Sequence, residues 1–158
     1  MMGLPDLREC DREKVRIGNI LMKVSFSLFL ACLKVRIPVG LENPATSRLW
    51  LAGSAQYTTK QKHVHNTIVD YCQYGMPWRK RTRIMYAHVP LEQGSKVCHG
   101  HGICSRTHKP HINLIGTDNK QFKTNMAEPY PRPLCRRWCD CFANALVGQT
   151  VCRLSNWV

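Results

Sequence analysis

Acidic residues are scarce in this chain of 158 residues, which has 10 Asp and Glu against 23 Lys and Arg and a formal net charge of +13. Such an excess of cations favours polyanionic partners, namely DNA, RNA or an anionic membrane surface, and charge alone does not choose among them. The length is sufficient for one domain with a hydrophobic core and short for two. Internal repeats and low-complexity tracts are also absent.

Long apolar runs are missing too. The most apolar stretch, Val24 to Leu33, is too short to span a bilayer as a helix. Acidic residues lie upstream of it and no small-residue cleavage site follows, which is unlike a signal peptide. We therefore expect a buried helix and no membrane partner, while a membrane-surface protein anchored by this helix stays open as a third interpretation.

Cys-x-x-Cys pairs are absent, although the chain has nine cysteines. A secreted disulfide framework is one explanation of so many cysteines, but their irregular spacing disfavours it. Several lie among apolar residues, where a free thiol packs as a small hydrophobe. We expect an intracellular, reducing compartment, either the cytoplasm or the nucleoid or nucleus.

Between residues 90 and 116 regular periodicity disappears, and thiols and imidazoles crowd into a short segment. Thiolate and imidazole are the preferred ligands of tetrahedral zinc. A zinc ion here would tie together a segment that has few apolar residues. The candidate ligands are Cys98, Cys104, His108 and His111. The alternative is a solvent-exposed, His-rich loop without metal.

The hydrophobic pattern elsewhere predicts an α/β fold, a mixed sheet with flanking helices plus the irregular Cys/His-rich segment. The predicted elements are helices over 13–34, 48–50 and 134–147 and strands over 36–44, 67–71 and 83–87. The first helix becomes apolar nearly all round towards its C-terminal half, so we expect it to be covered on more than one side. Gly148 is predicted to end the last helix, and residues 53–65 to form a polar, mobile connection.

The densest basic segment follows the second predicted strand. Four cations come directly after a Gly-Met-Pro-Trp turn, and they are Arg79, Lys80, Arg81 and Arg83. An exposed turn would present guanidinium groups to phosphates and base edges, with Trp78 and Tyr74 as stacking faces. The alternative is a solvated basic turn before an edge strand.

The first predicted strand ends in Glu42-Asn43-Pro44. In open α/β sheets ligands bind at the carboxyl ends of the strands, so a carboxylate and an amide there are candidate site residues. The alternative is a strand terminus at which Asn43 caps the following helix.

Two of these motifs together resemble the second half of a cytosine-5 DNA methyltransferase, in the divergent form found in phages and viruses. Residues 41–44, Leu-Glu-Asn-Pro, resemble the family's Glu-Asn-Val motif, with Pro44 in place of valine. Residues 74–84 resemble its Tyr-Gly-Val-Pro-Gln-x-Arg-x-Arg-Val motif, with Trp78 in place of glutamine and one residue inserted before the paired arginines. The helix that begins after Tyr130-Pro131 resembles its last motif.

The resemblance implies a partial Rossmann-like methyltransferase layer and a role for each matched residue. Glu42 would bind and protonate the ring nitrogen of a flipped cytosine, and Asn43 would orient the carboxylate. Arg81 and Arg83 would stabilise the base and a nearby phosphate. DNA contacts would come from Trp78, Arg79 and Lys80. The implied division is a partial methyltransferase-like α/β region over 1–89, a Cys/His-rich recognition-like segment over 90–125 and a C-terminal helix over 126–158. This helix would pack on the α/β region.

The family's Gly-rich cofactor motif and its Pro-Cys nucleophile are absent from this sequence. Cys10 lies at a suitable distance before Glu42, but Glu9 precedes it within a charged segment. Our leading hypothesis is a truncated or split methyltransferase-like protein that binds DNA and is inactive alone. It would use S-adenosylmethionine only when a second chain supplies the missing half. The alternative is a non-enzymatic, basic nucleic-acid-binding protein, with or without zinc.

Overall fold

A computed structural model describes residues 6–118 and 121–155 of the chain. They form a mixed α and β structure with a small antiparallel sheet, helices and a Cys/His cluster. The elements are α1 Glu9–Lys34, β1 Val39–Pro44, α2 Gly53–Thr59, β2 Val64–Asp70, β3 Arg81–Ala87, β4 Thr117–Asp118, β5 Gln121–Phe122 and α3 Arg132–Ser155. Short 3₁₀ turns at Arg48–Leu51, Tyr71–Tyr74, Leu91–Gly94 and Lys123–Ala127 connect them.

The main sheet has three strands in the order β1-β3-β2, and β3 is antiparallel to both neighbours. β1 and β2 therefore run parallel to each other with β3 between them. All strand pairings in the described residues are antiparallel, including the small β4–β5 hairpin, and the predicted Rossmann-like layer is not confirmed. The rule that ligands bind at the carboxyl ends of parallel strands consequently does not apply to β1.

The two faces of this sheet bury different helices, because successive side chains of a strand point to opposite faces. One face packs against α1 and α2, with Phe26, Phe29, Ala55 and Met85 in its core. The other face packs against α3, and its core contains Val69, Tyr71, Ile84, Leu134 and Cys141. The sheet is thus a middle layer with helices on both sides.

Helix α1 begins four residues earlier than predicted and is less covered than expected. Its buried residues are Phe26 and Phe29, whereas Leu21 and Leu28 are about 60 % exposed. The expectation that α1 is covered on more than one side is therefore wrong. Over its most apolar 18-residue window the mean hydropathy is 1.5, so by length and composition α1 could cross a membrane, a test that the core helices of soluble proteins and signal sequences also pass.

Two other expectations about regular structure need correction. Residues 53–65 contain α2 and the start of β2 rather than an irregular connection. Helix α2 packs against the sheet and buries Ala55 and Thr58. Helix α3 continues past Gly148 to Ser155. A single glycine costs only about 1 kcal/mol in a helix, which is too little by itself to end one.

Asp70 at the end of β2 joins the sheet to the Cys/His-rich segment. Its carboxylate is fully buried and accepts two hydrogen bonds from Arg81, at 2.9 and 2.8 Å, and one from Arg79 at 3.3 Å. It also accepts a bond of 2.7 Å from the backbone amide of Cys98. Burial opposes the charged form, but the Arg81 and Cys98 bonds outweigh it and lower the pKa of Asp70.

We predict that Asp70→Asn destabilises the protein by about 3 kcal/mol at neutral pH, because it removes the buried negative charge that two guanidinium groups share. Since the folded pKa is lowered, this stabilisation is present at neutral pH and disappears as the pH falls below the ordinary aspartate value of about 3.9. Urea unfolding of both proteins across this range measures it.

The matched control is Asp140→Asn, which removes an exposed carboxylate from α3. This change should alter the free energy of unfolding by no more than about 0.5 kcal/mol. Equal effects of the two substitutions at neutral pH would contradict the role assigned to Asp70.

Candidate metal centre

Four side chains converge beneath the end of β2, and together they could hold a metal ion. The ligand atoms of Cys72, Cys98, Cys104 and His111 all lie within 4.8 Å of one another. The three thiols are buried, and His111 is half-buried. The Sγ of Cys98 and the Nε2 of His111 are 3.7 Å apart. Tetrahedral ligands around zinc are about 3.5–3.8 Å apart, since zinc lies about 2.3 Å from sulfur and about 2.0–2.1 Å from nitrogen.

The sheet places the first two thiols. Cys72 lies in the 3₁₀ turn that directly follows β2, two residues after Asp70. The Asp70 carboxylate binds the amide of Cys98, and the carbonyl of Lys96 accepts the Asp70 amide at 2.9 Å. Residues 96–98 are consequently held along the edge of β2, and the thiol of Cys98 comes close to that of Cys72.

A hairpin-like loop returns the other two ligands to the same point. Ile103 and Pro110 form an antiparallel bridge, and the amide of His111 donates to the carbonyl of Gly102 at 2.8 Å. Inside the loop, the amide of His108 donates to the carbonyl of Cys104 at 2.9 Å. His108 has a left-handed backbone (φ 56°), which turns the chain back so that His111 reaches the sulfurs.

Gly100 is a steric requirement of this loop. A Cβ at this position would lie 1.7 Å from the carbonyl oxygen of Ile103, a distance that real Cβ atoms do not adopt. Glycine is the only residue that lets the two backbone segments approach so closely. The tight fold around the cluster therefore depends on a residue that carries no chemistry itself.

Hydrogen-bond donors surround two of the thiols. Burial raises the pKa of Cys98, but donors from the Ser105 hydroxyl and the amides of Ser105 and Gly100 outweigh burial and lower it to about 6. Burial also raises the pKa of Cys104, but hydrogen bonds from the amides of Thr107 and Arg106 outweigh it and lower the pKa to about 7. Donors aimed at sulfur favour the thiolate, which is the form that binds metal.

Cys72 differs from the other two cysteines. Burial raises its pKa to about 12, and the neighbouring thiols of Cys98 and Cys104 add to this effect. The side-chain amide of Gln73 lies 3.6 Å from the Cys72 sulfur and 3.8 Å from the Cys104 sulfur. Without a cation, three thiols packed together cannot all ionise, because the thiolates would repel one another. A divalent ion bound among them would remove this repulsion and stabilise all three thiolates.

The structure brings together three of the four predicted zinc ligands and replaces the fourth. Cys98, Cys104 and His111 meet, whereas the side chain of His108 is exposed and does not join the cluster. The left-handed backbone of His108 lies in the turn that returns the chain to His111. Cys72 takes the place of His108 in the cluster. Cys72 was not predicted because it lies 26 residues before Cys98, outside the Cys/His-rich segment. The signal in the sequence was its position directly after the predicted strand 67–71.

The cations of the basic turn bind groups of the chain itself, while the side chains of Arg79 and Arg81 stay 33 % and 40 % exposed. Arg79 and Arg81 bind Asp70, and Arg79 also donates to the carbonyl of Cys98 at 2.8 Å. Lys80 donates to the carbonyl of Ala127 at 2.7 Å, and Arg83 donates to the Asn66 side chain at 2.9 Å. Four cations that the sequence assigned to a partner thus contact the protein's own backbone and side chains.

The two aromatic residues that we expected to offer exposed stacking faces are buried. Trp78 and Tyr74 are 7 % and 8 % exposed and belong to the core beneath α3. The apolar ring of each residue fills space between the sheet and the helix. The guanidinium of Arg83 instead lies over the ring of Trp50, 4.5 Å from its centroid.

Glu42 and Asn43 lie on opposite faces of β1. Glu42 is paired with Ile84 on the face that packs against α3, and its carboxylate accepts a hydrogen bond from the Tyr130 hydroxyl. The other carboxylate oxygen, Oε1, is shielded from solvent and has no hydrogen bond within the described residues. Asn43 is paired with Arg83 on the opposite face. The sheet therefore does not bring Glu42 and Arg83 into one pocket.

Cys10, the weak candidate for a nucleophile, is exposed near the start of α1. It is not one of the four clustered ligands.

Comparisons of this chain with models of protein families, with curated proteins and with solved structures found no match. The resemblance to cytosine-5 methyltransferases therefore rests on the quoted motifs alone.

We predict that Cys72→Ser abolishes stoichiometric metal binding, whereas His108→Ala retains it. The thiol of Cys72 completes the cluster, and the ring of His108 lies outside it. Metal analysis of protein purified without a His-tag, together with a spectroscopic titration by Co²⁺, measures this difference. Absence of metal from the His108 variant with full retention in the Cys72 variant would support the sequence-based ligand set instead.

Proposed function

We propose that the chain is a zinc-bound nucleic-acid-binding protein in which the ion holds residues 98–111 as a cationic surface. The observation that carries this proposal is the convergence of four ligands on a loop that exposes basic side chains, in a protein of net charge +13. Cys72 comes from the turn after β2 and the other three ligands come from residues 98–111, so an ion among them would fix the loop against the sheet.

Zinc is the ion that suits this ligand set. Three thiolates and one imidazole are typical of tetrahedral structural zinc, and soft sulfur ligands disfavour magnesium and calcium. Four protein ligands fill the coordination sphere and leave no position for a reacting water. The role supported for the ion is accordingly structural, and its binding free energy would add to the stability of a segment that buries few apolar side chains.

Nucleic acid is the partner that suits the loop surface. Residues 99–110 contain no acidic side chain, and they expose Arg106, His108 and Lys109. Arginine and lysine bind phosphate oxygens in both duplex and single strands, and these contacts supply most of the non-specific affinity. The nearby carboxylate of Asp70 is buried and forms ion pairs with two arginines, Arg79 and Arg81. The outer surface of the loop therefore stays positive.

We predict that the zinc-loaded protein binds duplex DNA with an affinity that falls steeply with salt, with a slope of about 0.9 in log K for each phosphate contact. Removing zinc with a chelator should weaken binding, since the loop that carries the cations loses its anchor. Fluorescence anisotropy with labelled duplex and single strands at several salt concentrations measures both effects. Salt-independent binding, or binding that the chelator leaves intact, would contradict the proposal.

A second candidate function is the methyltransferase-like role, and one observation favours it. The Oε1 atom of Glu42 is a shielded carboxylate oxygen without a hydrogen bond in the described part of the chain. This oxygen lacks a donor, although a ring nitrogen could reach it only if the side chains that cover it moved, and β1 lies directly beside the strand that carries Arg81 and Arg83. Against this candidate, Arg83 faces the other side of the sheet and Arg81 is bound to Asp70. S-adenosylmethionine would have to be bound by a second chain.

Methyl transfer separates the two candidates. We expect no incorporation of labelled methyl groups into a cytosine-containing duplex when the chain is incubated with S-adenosylmethionine, either alone or with the product of the adjacent upstream reading frame. Transfer by the mixture that Glu42→Gln abolishes would favour the methyltransferase role, because the amide cannot donate the proton.

A further inference from the structure

A cleft of about 560 Å³ lies beside the metal centre, between the turn that follows β2 and the first turns of α3. Three cationic side chains line it, Lys96, Arg106 and Arg137, and no carboxylate does. Its size falls within the range of clefts that hold small ligands. It is the kind of site that concentrates anions, because three positive charges face a shared, partly enclosed space.

None of the three cations is neutralised by an acidic side chain in the described part of the chain. The Nε of Arg106 donates to the carbonyl of Cys72 at 3.1 Å, which leaves the rest of its guanidinium fork free to bind a ligand. The Nζ of Lys96 lies 5.2 Å from the centre of the Tyr74 ring. Arg137 projects from α3 on the opposite wall. Burial raises the pKa of Tyr74, and the positive charge of Arg137 opposes this increase.

The metal centre and the cleft share two segments of chain. Arg106 follows Cys104 by two residues, and the Arg106 amide is one of the donors to that thiol. Gln73 follows Cys72, lines the cleft and lies against two of the clustered sulfurs. Two of the residues that line the cleft are therefore placed by the same turns that carry the metal ligands.

We propose that this cleft binds a backbone phosphate of a nucleic-acid strand through Lys96, Arg106 and Arg137, and that the metal centre keeps Arg106 and Gln73 in position. The inference rests on the proposed nucleic-acid-binding function and names the site at which it acts. The Arg106 fork supplies directional donors, while Lys96 and Arg137 supply charge from the two walls. These contacts carry no base specificity, so duplexes of unrelated sequence should bind similarly.

The test compares a cleft variant with a control of equal charge. Lys96→Ala, Arg106→Ala and Arg137→Ala are combined in one protein. Lys23→Ala, Lys60→Ala and Lys62→Ala are combined in the other, which removes three exposed cations from or beside the helices on the opposite side of the sheet. We expect the cleft variant to bind duplex DNA more weakly by a factor of about ten, with a salt slope lower by about 0.9 for each phosphate that it no longer binds. The control should keep the wild-type slope.

A single variant guards against misfolding of the triple variant. Arg137 is exposed on α3 and forms no hydrogen bond with the metal loop in the described residues, so Arg137→Ala should retain full metal content and still lower the slope. If wild-type protein bound DNA and both the cleft and control variants bound equally well, the cleft assignment would be overturned while the proposed function stood. If wild-type protein bound no strand, the proposed function would fail.

Inorganic phosphate and a mononucleotide distinguish the sources of phosphate. Nuclear magnetic resonance titration of the wild-type protein with each should show weak binding that the cleft variant lacks, and the labelled strand should bind more tightly than either. Binding of the mononucleotide as tight as that of the strand would overturn the assignment to a strand and indicate a free nucleotide.

Discussion

The buried carboxylate of Asp70 is the constraint on which the rest of the structure depends. It takes bonds from Arg79, Arg81 and the amide of Cys98, and so ties the end of β2 both to the start of β3 and to the Cys/His-rich segment. An isolated buried charge would cost several kcal/mol, and these partners offset that cost. One consequence is that hydrogen bonds of the polypeptide hold Cys98 next to Cys72. Two of the four thiol and imidazole groups of the cluster are therefore positioned without a metal ion.

The same interaction engages two arginines of the basic turn. The basic turn has the composition of a phosphate-binding segment, yet its arginines neutralise Asp70 and its lysine binds a backbone carbonyl. The cations without carboxylate partners in the described residues include Lys96, Arg106 and Arg137, which stand around the neighbouring cleft. The densest charge in the sequence thus binds groups of the protein itself, whereas Lys96, Arg106 and Arg137 line one shared cleft.

Much of the local structure was predictable from the sequence. The pattern of apolar residues located α1, the start of α3 and the three strands of the main sheet to within about four residues, since it depends on which side chains must be buried. Three members of the cluster that could hold a metal ion were predictable because Cys98, Cys104 and His111 are close in sequence. The antiparallel order of the strands, the exposure of α1 and the continuation of α3 past Gly148 were not, because pairing and coverage involve residues far apart in the chain.

The sequence by itself determined the excess of positive charge, the positions of the main elements and the presence of a thiol- and imidazole-rich loop. Only the tertiary structure decided that Cys72 rather than His108 completes the cluster, because the side chain of His108 is exposed while Asp70 brings Cys98 to Cys72. Tertiary structure also decided that Glu42 and Arg83 face opposite sides of the sheet, since alternation along paired strands fixes the face of every side chain once the register is set.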